Sequence, residues 1–353
     1  MALRPTARRQ RGAALLLALL IMTLVATLAA GMVWLQWRGI EVEAAERARG
    51  QAQWLLNASL DWGNLILKSS IRNGQIEDDL GQPWATPLAE TKLSSFLSAD
   101  GSHSDDSGPE AYLSGQITDA QSKYNLYNLL ITSGGANNGI GRNTEIERLQ
   151  ALFSAIGVSQ DVAVTIAAGM RASDGAQQAA ATPGTQVDPG SVLMPIELSD
   201  LAWYGIDPKV IKQIEPFVQL IPFNAQQIAG TPVPQLMINA NTAPAEVLMA
   251  GCPGISRAQA EQMILQRRQR PFDDAGKLQT IVKGGAGATA PLPCEGGNGH
   301  PGMILGVKSQ FFEIYGQLRY EQHVIRERSV IYRKDQFTPI QVLRRERLPP
   351  DAA

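Results

Sequence analysis

The 353-residue sequence contains few cysteines and histidines and has almost no net charge. It has two cysteines, three histidines and a formal net charge of −2 at pH 7. Two cysteines are too few for a disulfide-rich scaffold, although they are enough for one bridge in an oxidising compartment. A net charge close to zero gives no general attraction to nucleic acid, because proteins that bind polyanions usually carry a basic surface. Nucleic acid is therefore not an expected partner.

The sequence also lacks the short motifs that mark common catalytic sites. It has no G-x-S-x-G, H-E-x-x-H or C-x-x-C, and the glycine-rich stretch 284–299 lacks the Gly-Lys-Ser/Thr ending of a phosphate-binding loop. The three histidines, His103, His300 and His323, are far apart and have no metal-binding spacing. We therefore expect a protein that is not an enzyme.

Charge is absent from one long segment near the N-terminus. No Asp, Glu, Lys or Arg occurs in the 25 residues from Ala13 to Trp37. At about 1.5 Å per helical residue, this segment can cross a hydrocarbon core of about 30 Å. It is too long for the apolar core of a cleaved signal peptide, which has roughly 7–15 residues. Arginines precede it at positions 4, 8, 9 and 11, so we expect a cytoplasmic N-terminus and an exported, periplasmic remainder.

Apolar periodicity predicts the layout of that remainder. A helical spacing continues from Glu41 to about Ile71, and alternating residues predict strands near 111–118, 310–319, 324–333 and 340–344. Helical patterns such as 143–172 and 243–270 fall between the first strand and the last three, and the Ala-, Gln- and Pro-rich stretch 173–191 predicts a flexible linker. The fold class is therefore α+β, with a mainly helical insertion.

The junction "RRQRGAALLLALLIM", residues 8–22, resembles a type IV prepilin leader. In such proteins a membrane aspartyl peptidase cuts after the glycine, here Gly12, and methylates the new N-terminal residue, here Ala13. The resemblance implies that the basic residues Arg8, Arg9 and Arg11 are removed with the leader.

One departure from the pilin pattern is informative. Most pilins carry a glutamate at the fifth mature position, which here is Leu17. The K-type minor pseudopilins of type II secretion systems characteristically lack this acid. A buried carboxylate is costly without a partner, and a subunit at the tip of a filament has no neighbour above it to supply one.

Three further segments are similar to K-type pseudopilins: "SGQITDAQSKYNLYNLL" (114–130), "INANTAPAEVLMAG" (238–251) and "KSQFFEIYGQLRY…RERSVIYRKD" (308–335). The resemblance implies a pilin-like fold with a long N-terminal helix and an antiparallel sheet, into which a large all-α domain is inserted. The expected organisation is a leader (1–12), a transmembrane and assembly helix (13–37), a first pilin-like part (38–120), an inserted domain (121–305) and closing strands (306–353).

The same resemblance implies a function in assembly. Such a subunit initiates and caps the tip of the periplasmic pseudopilus that drives export of folded proteins across the outer membrane. The implied partners are the I-type and J-type minor pseudopilins, the major pseudopilin, the prepilin peptidase and the inner-membrane assembly platform.

Two possible sites remain open at this point. Cys252 and Cys294 are expected to form a disulfide in an exported domain, with two buried free thiols as the alternative. The acidic residues Asp100, Asp105, Asp106 and Glu110 could bind calcium through carboxylate oxygens, although their spacing is not that of an EF-hand and a solvated loop is the alternative. Related pseudopilins often carry calcium near the insert, but the acidic, Trp-containing stretch expected around 165–195 is missing here.

A competing hypothesis concerns residues 238–280, which resemble a helix-hairpin-helix of DNA-uptake receptors. Such hairpins bind phosphate through backbone N–H groups at a helix N-terminus. Arginines at 257, 267, 268 and 270 could add positive charge, whereas Ser256 replaces the second hairpin glycine. The alternative function is therefore a membrane-anchored DNA-binding or DNA-uptake protein.

Overall fold

A long N-terminal helix comes first, and most of the other helices lie between the first and last strands, as the apolar patterns predict. The computed structural model describes residues 11–72, 77–92, 111–131, 140–181, 190–221, 235–282, 294, 302–320, 323–335 and 337–349. The helices are α1 (Arg11–Arg72), α2 (Ile140–Ala155), α3 (Gln160–Ala181), α4 (Pro208–Ile214), α5 (Ala245–Gly251), α6 (Arg257–Gln269) and α7 (Ala275–Val282).

The strands are β1 (Leu88–Lys92), β2 (Ala111–Asp119), β3 (Tyr124–Asn125), β4 (Val218–Gln219), β5 (Ile238–Asn239), β6 (Leu305–Gly306), β7 (Phe311–Tyr320), β8 (His323–Tyr332) and β9 (Gln341–Leu348). The chain forms two compact units, one up to Ala58 and the other from Ser59 onward.

Helix α1 carries the uncharged segment. It is long and apolar enough to cross a membrane, with a mean hydropathy of 2.6 over its most apolar window. The hydroxyl groups of Thr23 and Thr27 donate to the carbonyl oxygens of Leu20 and Leu24 at 2.9 Å, so these polar groups are satisfied within the helix. The expected continuation of the helix to about Ile71 is confirmed, because α1 ends at Arg72.

Five antiparallel strands form the main sheet in the order β1-β2-β7-β8-β9. Strand β2 pairs with β7 from Ala111 opposite Tyr320 to Asp119 opposite Phe312. The residues between β2 and β7 therefore leave the sheet and return to it at the same end. We call residues 121–305 the insert. The predicted strands are confirmed, and β1 is an edge strand that the polar sequence before residue 100 did not indicate.

One face of the sheet packs against the last turns of α1. Leu60 and Leu67 of the helix contact a cluster that includes Trp84, Phe312 and Ile331. The rings of Trp84 and Phe312 meet edge to face, with 5.3 Å between their centroids. The apolar spacing of residues 59–72 is therefore the spacing of a helix that covers a sheet.

A second and larger core lies within the insert. Helices α2 to α7 contribute to it, together with two short parallel strand pairs, β3 with β4 and β5 with β6. The predicted helix 143–172 is two helices, because the chain turns at Gly157, whose φ of 76° is a left-handed conformation that favours glycine. The predicted helix 243–270 is likewise divided around Gly254, with φ 102°.

The stretch predicted as a flexible linker, 173–191, is helical up to Ala181. Alanine and glutamine favour helix, and α3 continues through them. Ser173 is buried, and its Oγ lies 3.0 Å from the Gly169 carbonyl oxygen and 2.9 Å from the Tyr204 hydroxyl. A Cβ at Gly169 would overlap the Tyr204 ring, so glycine permits this close contact. The linker prediction was therefore wrong for residues 173–181.

Cys252 and Cys294 form a disulfide, as expected, and both side chains are buried. The bond joins the end of α5 to a residue 42 positions later in the chain.

We predict that replacing both cysteines by alanine lowers the free energy of unfolding by roughly 4 kcal/mol, because the unfolded chain gains conformational entropy when the bond no longer closes a loop of this length. Urea unfolding would measure the loss. A reductant should destabilise the natural protein by a similar amount and leave the double variant unchanged; equal effects on both would contradict the prediction.

Candidate functional site: an exposed apolar helix and a buried polar junction

The N-terminal part of α1 presents its apolar side chains to the surroundings. Every large apolar side chain from Leu15 to Val42 that the structure describes as exposed is more than half exposed, and Leu17 is 62% exposed. Arg11 and Gly12 begin the helix, and Ala13 is also exposed. Arg8 and Arg9 lie outside the described residues. An apolar surface of this extent requires lipid or protein to cover it.

The end of β2 meets the insert in a group of buried polar side chains, which we call the polar junction: Asp78, Asp119, Asn239, Thr242, Ser309 and Arg333. Oδ2 of Asp119 accepts from Asn239 Nδ2 at 2.9 Å, from Thr242 Oγ1 at 2.5 Å and from Ser309 Oγ at 2.6 Å. Its Oδ1 accepts from the Gln121 N–H at 2.8 Å. The one carboxyl group therefore joins β2, the insert and the segment that leads into β7.

Burial determines the protonation behaviour of Asp119. Removal from water raises the pKa of its carboxyl group to about 6, and the negative charge of Asp78 acts in the same direction. The hydrogen bonds from Ser309 and Thr242 lower the pKa, but they do not offset the loss of hydration. Ionising the Asp119 carboxyl group therefore costs free energy, and its hydrogen-bond partners offset only part of that cost.

Arg333 and Asp78 form the second half of the polar junction. Arg333 Nη2 lies 2.6 Å from Asp78 Oδ1 and also donates to the Ser309 carbonyl oxygen, while Nη1 donates to the Leu67 carbonyl oxygen at 3.0 Å. The guanidinium carbon is 4.5 Å from the centroid of Phe312. Asp78 in turn accepts from the Ser309 N–H and its carbonyl oxygen accepts from Asn239. The junction thus also holds the end of α1.

Asparagine side chains extend this connection into the insert by pairing with backbone groups. Asn125 pairs with the N–H and C=O of Ile221, and Asn128 pairs in the same way with Leu236, at 2.9–3.2 Å. Asn241 pairs with both backbone groups of one residue on the far side of α6, Phe272. A side-chain amide offers a donor and an acceptor in the geometry of a peptide group, so these asparagines pair with the backbone as a neighbouring peptide group would.

A buried ion pair stabilises the interior of the insert. Glu145 and Arg148 of α2 are 2.9 Å apart, and both are almost fully buried. Glu145 also accepts from Tyr124 at 2.8 Å, and burial raises the pKa of that tyrosine well above its usual range. Arg148 donates to the carbonyl oxygens of Ala250 and Gly251, which lie at the end of α5 where helical carbonyl groups lack a partner within the helix.

The arginines of the helix-hairpin-helix-like segment are largely occupied by protein groups. Arg267 donates to the carbonyl oxygens of Ala240 and Ala243 at 2.7 and 2.6 Å, and burial lowers its pKa to about 10. Arg257 pairs with Glu246 and Glu261. The first turn of α6 is capped by Ser256, whose Oγ accepts from the Gln259 N–H. The sequence therefore resembles a phosphate site, but its donors stabilise the insert.

The residues considered for calcium, Asp100, Asp105, Asp106 and Glu110, lie outside the described residues, as do His103 and His300. His323 begins β8. Within the described part of the chain, no group of three or more His, Cys, Asp or Glu residues is placed to hold a metal ion.

Similarities to known proteins point to one family. A sequence model of type II secretion system (T2SS), protein K, matches residues 238–291, which include Asn239, Asn241 and Thr242. The type II secretion system protein K of Pectobacterium carotovorum subsp. carotovorum is 25% identical over 361 residues, and the match covers 96% of this chain and 96% of that protein. The chain is therefore similar to type II secretion system protein K along nearly its whole length.

A solved structure has a fold similar to that of this chain. The crystal structure of the GspK-GspI-GspJ complex from the type 2 secretion system of enterotoxigenic Escherichia coli contains a chain that matches with a TM-score of 0.58 at 18% identity. The match covers 86% of this chain and 98% of that one. The expected α+β architecture, with a long N-terminal helix, an antiparallel sheet and a helical insertion, is confirmed.

The segments 114–130 and 238–251, which resemble protein K, therefore have a structural role. Asp119, Asn239 and Thr242 come from two motifs that lie far apart in sequence, and they meet at one carboxyl group. Asp78 was missed by the sequence analysis because no motif includes it. Its only sequence signal is a pair of acids, Asp78 and Asp79, immediately before the buried tryptophan segment.

We predict that Asp119→Asn lowers the free energy of unfolding by about 2–4 kcal/mol, because an amide cannot accept every bond that the carboxylate accepts and leaves buried donors unpaired. Chemical denaturation at neutral pH would measure the change. Asp61→Asn, at an exposed position on α1, is the matched control and should change stability by less than about 0.5 kcal/mol. Equal effects of the two substitutions would show that the polar junction does not stabilise the fold.

Proposed function

We propose that this protein is the minor pseudopilin that initiates and caps the tip of a type II secretion pseudopilus. The observation that carries the proposal is the match to protein K over nearly the whole chain, combined with an apolar helix whose side chains are exposed. Its function would be assembly and not catalysis. Folded proteins would cross the outer membrane as the filament beneath this subunit grows.

The uncharged part of α1 would act twice. Before assembly it would anchor the protein in the inner membrane, with Arg8, Arg9 and Arg11 on the cytoplasmic side and the remaining domain in the periplasm. After cleavage behind Gly12, the same apolar surface would pack against other subunits. The disulfide between Cys252 and Cys294 supports a periplasmic domain, because such bonds persist in oxidising compartments.

The proposed partners are the I-type and J-type minor pseudopilins, in agreement with the complex in which the structural relative was crystallised. The major pseudopilin, the prepilin peptidase and the assembly platform would act before and after this complex forms. Leu17 supports a position at the tip, because a subunit without a neighbour above it needs no carboxylate to pair with that neighbour's amino group. The size of the insert supports the same position. No contact in the described residues favours the DNA-binding alternative.

We predict that the mature protein begins with methylated Ala13 and that Gly12→Val abolishes cleavage and secretion, because a branched side chain replaces the glycine at the cleaved bond. Intact-mass measurement of the purified membrane protein would identify its first residue. Gly39→Ala is the control: a Cβ there contacts nothing within 4 Å, so cleavage and secretion should persist. A natural protein that keeps Met1 would overturn the assignment.

We predict that the exposed apolar side chains of the insert bind the J-type partner. Combined alanine substitution of Val164, Leu193, Trp203 and Leu265 should leave membrane insertion intact and abolish copurification with that partner. Phe337→Ala, between β8 and β9, removes an even more exposed apolar side chain outside the insert and should have no effect. Retention of the partner by the insert variant would refute this interface.

A further inference from the structure

The uncharged segment of α1 is longer than a hydrocarbon core requires. The 25 residues from Ala13 to Trp37 extend about 37 Å at about 1.5 Å per helical residue, whereas the core is about 30 Å thick. A helix with this excess fits the core at several depths, because a shift by one turn exchanges one set of apolar residues for another. The depth must therefore be selected by a feature at one end of the segment.

Two tryptophans and an arginine end the uncharged segment. Trp34 and Trp37 are more than half exposed, and Arg38 is the first charged residue that follows. The guanidinium carbon of Arg38 lies 5.6 Å from the centroid of the Trp34 ring, which is a cation–π distance. Within the part of the chain that the structure describes, the guanidinium group of Arg38 has no hydrogen-bond or ion-pair partner. Its donors are therefore available to a ligand.

A position of Trp34 at the edge of the hydrocarbon core accounts for the length of the segment. Tryptophan rings are enriched at the boundary between lipid and water, where the ring is in lipid and the N–H group reaches polar partners. Residues 13–33 would then fill the core, because 21 helical residues extend about 31 Å. Trp37 and Arg38 would lie among the headgroups, at the level of the lipid phosphates.

We infer that Trp34, Trp37 and Arg38 form an interfacial collar that binds the phosphate of phospholipid headgroups on the periplasmic side and fixes the depth of α1. The planar guanidinium group donates two parallel hydrogen bonds to phosphate oxygens, and the indole N–H groups donate to headgroup oxygens. The inference rests on the proposed membrane anchor and names the lipid group that this anchor contacts.

The charges beyond the collar show that the contact is local. Residues 38–49 contain three arginines and three glutamates, and Arg47 forms an ion pair with Glu43. A segment without net charge is not attracted as a whole to an anionic membrane surface. The contact therefore depends on Arg38 at the end of the apolar segment and on phosphate, a group that every phospholipid carries.

Labelling of single cysteines in the full-length protein, reconstituted in phosphatidylethanolamine and phosphatidylglycerol vesicles, tests the collar. Leu35→Cys and Gly39→Cys serve as reporters, because a Cβ at Gly39 contacts nothing within 4 Å and the natural cysteines are joined in a disulfide. With a membrane-impermeant maleimide, Gly39→Cys should react about tenfold faster than Leu35→Cys, since the boundary lies between them.

Substitutions in the collar should blur this boundary. Arg38→Gln, and Trp34→Phe combined with Trp37→Phe, should each reduce the ratio of the two labelling rates by about three- to tenfold, because they remove donors to the phosphate. In vesicles of a galactolipid, which has no phosphate, the natural collar should give the same reduced ratio. Flotation with the vesicles separates the two proposals: a protein that does not float contradicts the membrane anchor itself, whereas a floating protein with an unchanged ratio contradicts only the collar.

Arg49→Gln and Trp54→Phe are the matched controls. Both side chains are exposed on α1 beyond the collar, so the ratio should not change. The collar would be overturned by a ratio that is the same with and without lipid phosphate, or by an equal loss in the control variants. If the double tryptophan variant keeps its ratio but loses copurification with a partner pseudopilin, the tryptophans contact protein and the collar is likewise overturned.

Discussion

A single buried carboxyl group, that of Asp119, connects the two cores of the domain that follows Ser59. One core lies between the sheet and the end of α1, and the other lies inside the insert. Apolar packing within each core does not by itself define how they are joined. Because Asp119 accepts from Asn239, Thr242 and Ser309 at once, it selects one arrangement of β2 relative to the insert.

The cost of burying this charge explains the rest of the polar junction. A carboxylate without partners is strongly destabilising inside a protein, so its neighbours must be satisfied too. Asp78 is paired by Arg333, whose remaining donors reach the backbone of α1 and of the segment before β7. Strands β2 and β7 therefore pair in a regular register, although almost two hundred residues separate them in the sequence.

The domain after Ser59 and the first part of α1 differ in which side chains they expose. In the domain after Ser59, most large apolar side chains form cores, and buried polar groups such as Asp119 and Arg333 are paired. In the first part of α1, apolar side chains such as Leu17 are exposed along the helix. The hydrophobic effect requires that another apolar phase cover this surface. A membrane and then a filament would supply that phase in turn, which is consistent with the similarity to type II secretion system protein K.

The amino-acid sequence by itself determined the long apolar helix, the four major strands around a helical insertion and the resemblance to protein K, because each depends on local periodicity, composition or a contiguous motif. Two cysteines favoured a disulfide, and the structure pairs them. It did not predict β1, the division of the helices at Gly157 and Gly254, or the helical state of residues 173–181. Only the tertiary structure shows why these motif positions carry polar residues. Asp119 and Asn239 are 120 positions apart, and their contact forms only when the insert has folded back onto the sheet.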